Sequence, residues 1–254
     1  MNKRYLIVSI IFFSGFWSSC SNDDEVMESS CIEGEWEYEG ESNTANWGTC
    51  YAQCSGQLQS PVDITGVVVS PGLVALETQY ESVPIDLVNN GHTIEFEYEA
   101  GSKLTLNGRD YDLVQFHFHT DSEHTRDGQR YPMETHLVHK DEITGNLVVV
   151  GILFKEGKEN TFLANFIDNL PEDDDAHYTS QSKVNIKDLL PQSTAYYTYT
   201  GSLTTPPCSE IVTWFVMKSP VETSSDQISK FHEIIKNNYR PLQPLNDRKI
   251  YEFN

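Results

Sequence analysis

Residues 115–124, QFHFHTDSEH, hold three histidines and a glutamate within ten positions. The segment alternates like a strand, so His117 and His119 share one face while Phe116 and Phe118 take the other. Two imidazoles alone hold a metal ion poorly. A second strand-like segment, ETHLVHK, offers His136 and His139, and an antiparallel neighbour would set one of them opposite the pair. Three neutral imidazoles with one open position is the arrangement of a catalytic zinc, distinct from the closed four-ligand structural kind. Such a centre lowers the pKa of a bound water from about 15.7 to about 7, which makes hydroxide available at neutral pH. The bland alternative for an isolated His-x-His is a pair of surface histidines; Glu123 and the histidines of the next segment favour the metal. His124 and His139 are expected as hydrogen-bonded neighbours rather than ligands. His177 and His232 belong to no constellation and read as surface or packing residues.

Two other metal motifs fit less well. His117, His119 and Glu123 followed by Gly128 approximate the first motif of the cupin barrels, but the gap to the glycine is too short and the second motif is missing. The HxHxDH pattern of metallo-hydrolases is matched as far as Asp121 and fails at Ser122.

The elements that must carry these side chains are mostly strands. TIEFEYE (93–99) alternates strictly, with Ile94, Phe96 and Tyr98 on one side. KLTL leads into Asn107-Gly108, a tight hairpin turn. YDLVQFHFH, THLVH, NLVVVGILF, AYYTYT and EIVTWFVM follow as further strands. Two stretches read as helical: TFLANFIDNL, and SSDQISKFHEIIKNN, where Ser224 and Gln227 form a capping box ahead of Ile228, Phe231 and Ile235. With 38% hydrophobic and 11% aromatic residues in 254, the chain can bury a substantial core. It shows no repeat and no internal linker. The fold class expected is mainly β: a single domain around a large twisted, mostly antiparallel sheet with a few short peripheral helices.

The N-terminus stands apart. Lys3 and Arg4 precede an apolar run too short to span a membrane, then Ser18-Ser19-Cys20, the pattern of a secretory signal. A cysteine in that position is similar to a bacterial lipobox, with Trp17 where the motif usually has leucine. The expected organisation is a signal peptide over 1–19, a lipid-anchored acidic tether over 20–33 starting at Cys20, and one domain over 34–254. The predicted location is the periplasm or cell envelope, with anchoring in the outer membrane. A formal net charge of −21 repels nucleic acid and anionic headgroups, so contact with a membrane is expected only through the anchor. With Cys20 lipidated, Cys31, Cys50, Cys54 and Cys208 remain, an even number that reads as two disulfides in an exported protein, with three pairings open.

These segments, joined by QSPVDI (59–64), NNGHTIEFEYE (89–99), YYTYTGSLTTPPCSE (196–210) and NYRPLQPLNDR (238–248), closely resemble the α-class carbonic anhydrases from about Trp36 to the C-terminus. The resemblance implies reversible hydration of carbon dioxide to bicarbonate, with Zn2+ held by His117, His119 and His136. It implies that Gln115 and Glu134 accept hydrogen bonds from His117 and His136. It places Thr204 where a hydroxyl accepts from zinc-bound hydroxide and donates to Glu123. It assigns Val138, Val149, Leu203, Thr205 and Trp214 to the substrate pocket, His92 to a proton shuttle, and Tyr38 and Asn90 to a water chain between metal and shuttle. It also pairs Cys54 with Cys208, leaving Cys31 with Cys50. One departure stands beside the shuttle: Glu95 replaces a neutral polar residue, and from there a carboxylate would hold His92 inward or raise its pKa. A non-catalytic binding module on the same scaffold is the competing reading, disfavoured by the complete set of ligands.

Overall fold

The computed structural model describes residues 36–40 and 42–254. The segments read as signal peptide and tether, with Cys20 and Cys31, lie outside the described residues. No described helix is long and apolar enough to cross a membrane.

A sheet of 13 strands dominates. Its main path uses β1 (Val68–Val69), β2 (Val83–Asn89), β3 (Ile94–Glu97), β4 (Arg109–His119), β5 (Met133–Lys140), β6 (Leu147–Glu156), β7 (His177–Val184), β8 (Tyr196–Gly201), β9 (Val212–Met217) and β10 (Tyr251–Phe253). Across the sheet they run β7, β2, β3, β4, β5, β6, β9, β8, β10, β1. Neighbours are antiparallel except β6 with β9 and β10 with β1. The mainly β single domain expected from the sequence is what forms.

The alternation within β3 and β4 builds the core on one face. Ile94, Phe96, Phe116 and Phe118 are fully buried, with Phe96 stacked on Phe116 at 4.6 Å. Burying each such side chain contributes roughly 1.5–3 kcal/mol. The cover over this face includes α1 (Ser225–Ile235), whose Phe231 meets Phe118 at 4.4 Å. Its capping box forms as read: Ser224 accepts from the Gln227 backbone while the Gln227 side chain accepts from the Ser224 backbone. At the hairpin after Lys103–Leu106, Asn107 and Gly108 both take positive φ, 53° and 76°, as a turn with two left-handed central residues requires.

Besides several strands of two or three residues, two long strands escaped the sequence reading. β2 buries Val83, Ile85, Leu87 and Asn89 in strict alternation, a signal interrupted by Pro84. β7 is polar and largely exposed at the sheet edge, so it carries little pattern. TFLANFIDNL forms no α-helix but two short 3₁₀ turns, Leu163–Asn165 and Ile167–Asn169. The Asn160 side chain accepts from the backbone of Phe162 and Leu163, tightening the first turn, and Pro171 follows the second.

Candidate metal centre

The centre is built by two neighbouring strands. His117 and His119 project from β4, and β5 sets His136 directly opposite His117 and Glu134 opposite His119. The ligand atoms of His117, His119 and His136 all lie within 4.8 Å of one another. His139, the other candidate on β5, faces away: it is bonded to the Tyr80 hydroxyl at 2.9 Å and the Val148 carbonyl at 3.2 Å.

Each of the three rings has one nitrogen committed to an acceptor. His117 Nδ1 donates to Gln115 Oε1 at 2.8 Å, His119 Nδ1 to the Asn238 carbonyl at 2.7 Å, and His136 Nε2 to Glu134 Oε1 at 2.9 Å. A neutral imidazole that donates from one nitrogen presents a lone pair at the other. His117 Nε2, His119 Nε2 and His136 Nδ1 are therefore free to ligate, and His119 Nε2 is a buried nitrogen with no hydrogen-bond partner. Burial first, then the neighbouring histidines, lowers the pKa of His117 well below the usual value. Burial also lowers that of His119, against the opposing pull of Glu123. Neutral rings with converging lone pairs and an orphaned nitrogen fit a tetrahedral metal with three imidazole donors.

Glu134 is held beneath the centre by three donors: His136 Nε2, His124 Nδ1 at 2.7 Å and the His124 backbone N–H at 2.8 Å. Burial opposes its charge, yet His124 and His136 outweigh that and hold its carboxyl well below the ordinary range. His124 passes its other nitrogen to the Tyr199 hydroxyl at 2.6 Å. The grouping of His124, Glu134 and His136 is thus a bonded chain behind the ligands and no second metal site. As expected, His124 and His139 serve as hydrogen-bonded neighbours, while His177 and His232 are exposed.

Glu123 accepts from the Arg240 backbone N–H at 2.8 Å through Oε1. Its Oε2 is buried with no hydrogen-bond partner and lies 3.7 Å from His119 Nε2 and 3.9 Å from His136 Nδ1, so the hydrogen bond expected from Thr204 is not made here, although Thr204 is buried. The apolar residues do converge: Val138 faces Val149, Val149 faces Trp214, and partly buried Leu203 packs against the same cluster. Trp214 lies against the His136 ring at 4.7 Å. Thr205 is partly exposed.

His92 sits in the turn before β3, half-buried and stacked on Trp36 at 3.8 Å. Its Nδ1 has no partner. Burial lowers its pKa, and the carboxylates that oppose this are Glu37 and Asp174. Glu95 plays neither role expected of it beside His92: it lies within β3 opposite His117 and accepts from Gln115 Nε2 at 3.0 Å. Asn90 is exposed, and its Oδ1 accepts from the His92 and Thr93 backbones, so it fastens the turn that carries His92. Tyr38 is close enough to Glu123 for that charge, after burial, to push its hydroxyl pKa upward. Cys54 and Cys208 form the disulfide. Cys50 is disulfide-bonded as well; the Cys31 half of the expected pairing lies outside the described residues.

Sequence reasoning missed two contributors. The Asn238 carbonyl fixes His119, and Arg240 fixes Glu123 while its guanidinium spans Gln59, Ser60 and Cys54. Both stand in the NYRPLQPLNDR segment, whose pattern was visible although main-chain roles leave no side-chain trace.

A family model described as eukaryotic-type carbonic anhydrase matches residues 42–254. The chain belongs to the α-carbonic anhydrase family. A carbonic anhydrase of Klebsiella pneumoniae is 40% identical over 234 residues, covering 89% of this chain and 94% of the relative. One from Neisseria gonorrhoeae is 41% identical, covering 85% of this chain and 87% of the relative. Among solved structures, a hyperthermostable carbonic anhydrase from a hydrothermal vent chimney superposes with a TM-score of 0.83 at 44% identity. That match covers 87% of this chain and all of the other. The shared fold thus includes both strands that carry the histidine trio.

Proposed function

We propose that this carbonic anhydrase binds zinc through His117, His119 and His136 and hydrates carbon dioxide reversibly to bicarbonate and a proton. The observation that carries this reading is the convergence of three imidazole lone pairs, each opposite a nitrogen already committed to an acceptor. Zinc there supplies Lewis-acid activation of water at neutral pH.

The other residues take roles their placement supports. Val138, Val149, Leu203 and Trp214, with Thr205, form a wall suited to an uncharged substrate and poorly suited to the bicarbonate anion. Glu123, oriented by Arg240, offers its Oε2, which accepts no hydrogen bond, to the Thr204 hydroxyl, whose oxygen then remains an acceptor toward the centre. His92 takes the released proton at Nδ1 and passes it to buffer, with Tyr38 and Asn90 bordering the path. Export of the chain is supported by the Cys54–Cys208 disulfide, which oxidising compartments favour; lipidation at Cys20 rests on the sequence pattern alone.

Stopped-flow hydration of carbon dioxide with a pH indicator tests the reading. The zinc-loaded protein should accelerate hydration, lose the rate on chelation and regain it with added zinc. Absence of any zinc-dependent rate above background would leave a binding module on a carbonic anhydrase scaffold.

A further inference from the structure

We propose that Glu95 is a positioning residue for the metal centre: its carboxylate, acting through the Gln115 amide, decides which nitrogen of His117 carries the proton. The inference rests on the reading of His117 as a zinc ligand.

Three side chains form a directed line. Glu95 Oε2 accepts from Gln115 Nε2 at 3.0 Å, and Gln115 Oε1 accepts from His117 Nδ1 at 2.8 Å. The register makes the line possible, because β3 sets Glu95 directly opposite His117, on the face β4 turns toward the centre. Glu97, opposite Gln115 on the same strand, is exposed, and the amide turns to Glu95 instead.

A carboxamide has a donor end and an acceptor end, and its two flips differ only in which end faces which neighbour. Next to a histidine, both flips are self-consistent. With Oε1 toward the ring, Nδ1 carries the proton and Nε2 keeps its lone pair. With the NH2 toward the ring, Nδ1 becomes the acceptor and Nε2 carries the proton, which blocks ligation. Gln115 therefore cannot choose the tautomer by itself. A carboxylate accepts and does not donate, so it admits only the first flip. Glu134 and the Asn238 carbonyl are acceptors too, and they fix His136 and His119 directly. His117 alone has a two-faced amide as its immediate partner, and Glu95 removes the ambiguity one bond further out.

The variant E95Q keeps size and shape but offers two ends, so both networks close. In zinc-free protein with ¹⁵N-labelled histidine, long-range ¹H–¹⁵N spectra should show His117 wholly as the Nδ1–H tautomer in the wild type and as a mixture in E95Q. Chelator competition should give zinc affinity lower on the order of 10-fold in E95Q, the small end of what losing an outer partner of a ligand costs. In a Gln115→Ala background the same change should have no further effect, since the intermediary is gone. The inference is overturned if E95Q keeps a single Nδ1–H tautomer and wild-type affinity. It is equally overturned if E95Q weakens zinc by the same factor with and without Gln115, which would mark a through-space effect of charge. A wild-type protein that bound no zinc would instead remove the parent reading, while the tautomer spectra would still judge the link from Glu95 to His117.

Discussion

His136 lies directly across the β4–β5 pair from His117, and the same register sets Glu134 against His119. One antiparallel pairing thus delivers the three rings together with the carboxylate that orients one of them. A slip of β5 by one residue would turn His136 and Glu134 to the other face of the sheet, away from His117 and His119.

Glu134 is the partner most exposed to a single substitution. Glu134→Gln puts an NH2 where three donors now meet two oxygens, so at least one buried N–H loses its acceptor. Zinc affinity should fall by roughly 10- to 100-fold, and urea unfolding should show a loss of about 1–3 kcal/mol. Wild-type values for both would mean that Glu134 orients nothing.

His92→Ala should leave bound zinc unchanged and slow turnover by roughly 10- to 100-fold in weak buffer, at or below the low end for a positioned proton-transfer group. Added imidazole should restore the rate. The comparison is made at low and high buffer concentration, and indifference of the variant to buffer would dismiss the shuttle.

The pH dependence of stability carries the mark of His139. Burial lowers its pKa from 6.5 to about 4, so between those values the unfolded chain takes up a proton that the native ring refuses. Its contribution is complete above pH 6.5, declines as the pH falls toward 4, and is constant below. The span is about 3 kcal/mol. Urea titrations of the metal-free wild type and His139→Gln should differ by that amount across the window; parallel curves would exclude it.

Cys54 and Cys208 close a loop of 154 residues in sequence separation. Cys54→Ser should destabilise the fold by roughly 4–5 kcal/mol on chain-entropy grounds, a fall in Tm of something like 10 °C or more. Calorimetry of the variant beside the oxidised wild type measures it, and an unchanged Tm would show that the bond only decorates the loop.

Much of this was legible in the sequence wherever the signal is a side chain in a period. His117 and His119 with Phe116 and Phe118, and Ile94 with Phe96, announce their faces by alternation. Gln115 and Glu134 stand two residues before ligands on the same strand face. What was illegible is main chain or register. The acceptor for His119 is a carbonyl 119 positions away, and Glu123 is held by a backbone N–H of Arg240. The resemblance puts Glu95 among the residues lining the pocket beside His92. The turn ends between them, and the strand carries Glu95 across to His117 and Gln115.

The Asn238 carbonyl that engages His119 belongs to a residue whose side chain also grips the His92 and Phe118 carbonyls. The site is therefore finished by a segment that follows both ligand strands in the chain. During synthesis all three rings and both of their strands emerge long before this anchor, so a chain cut short ahead of Asn238 lacks the buckle on His119.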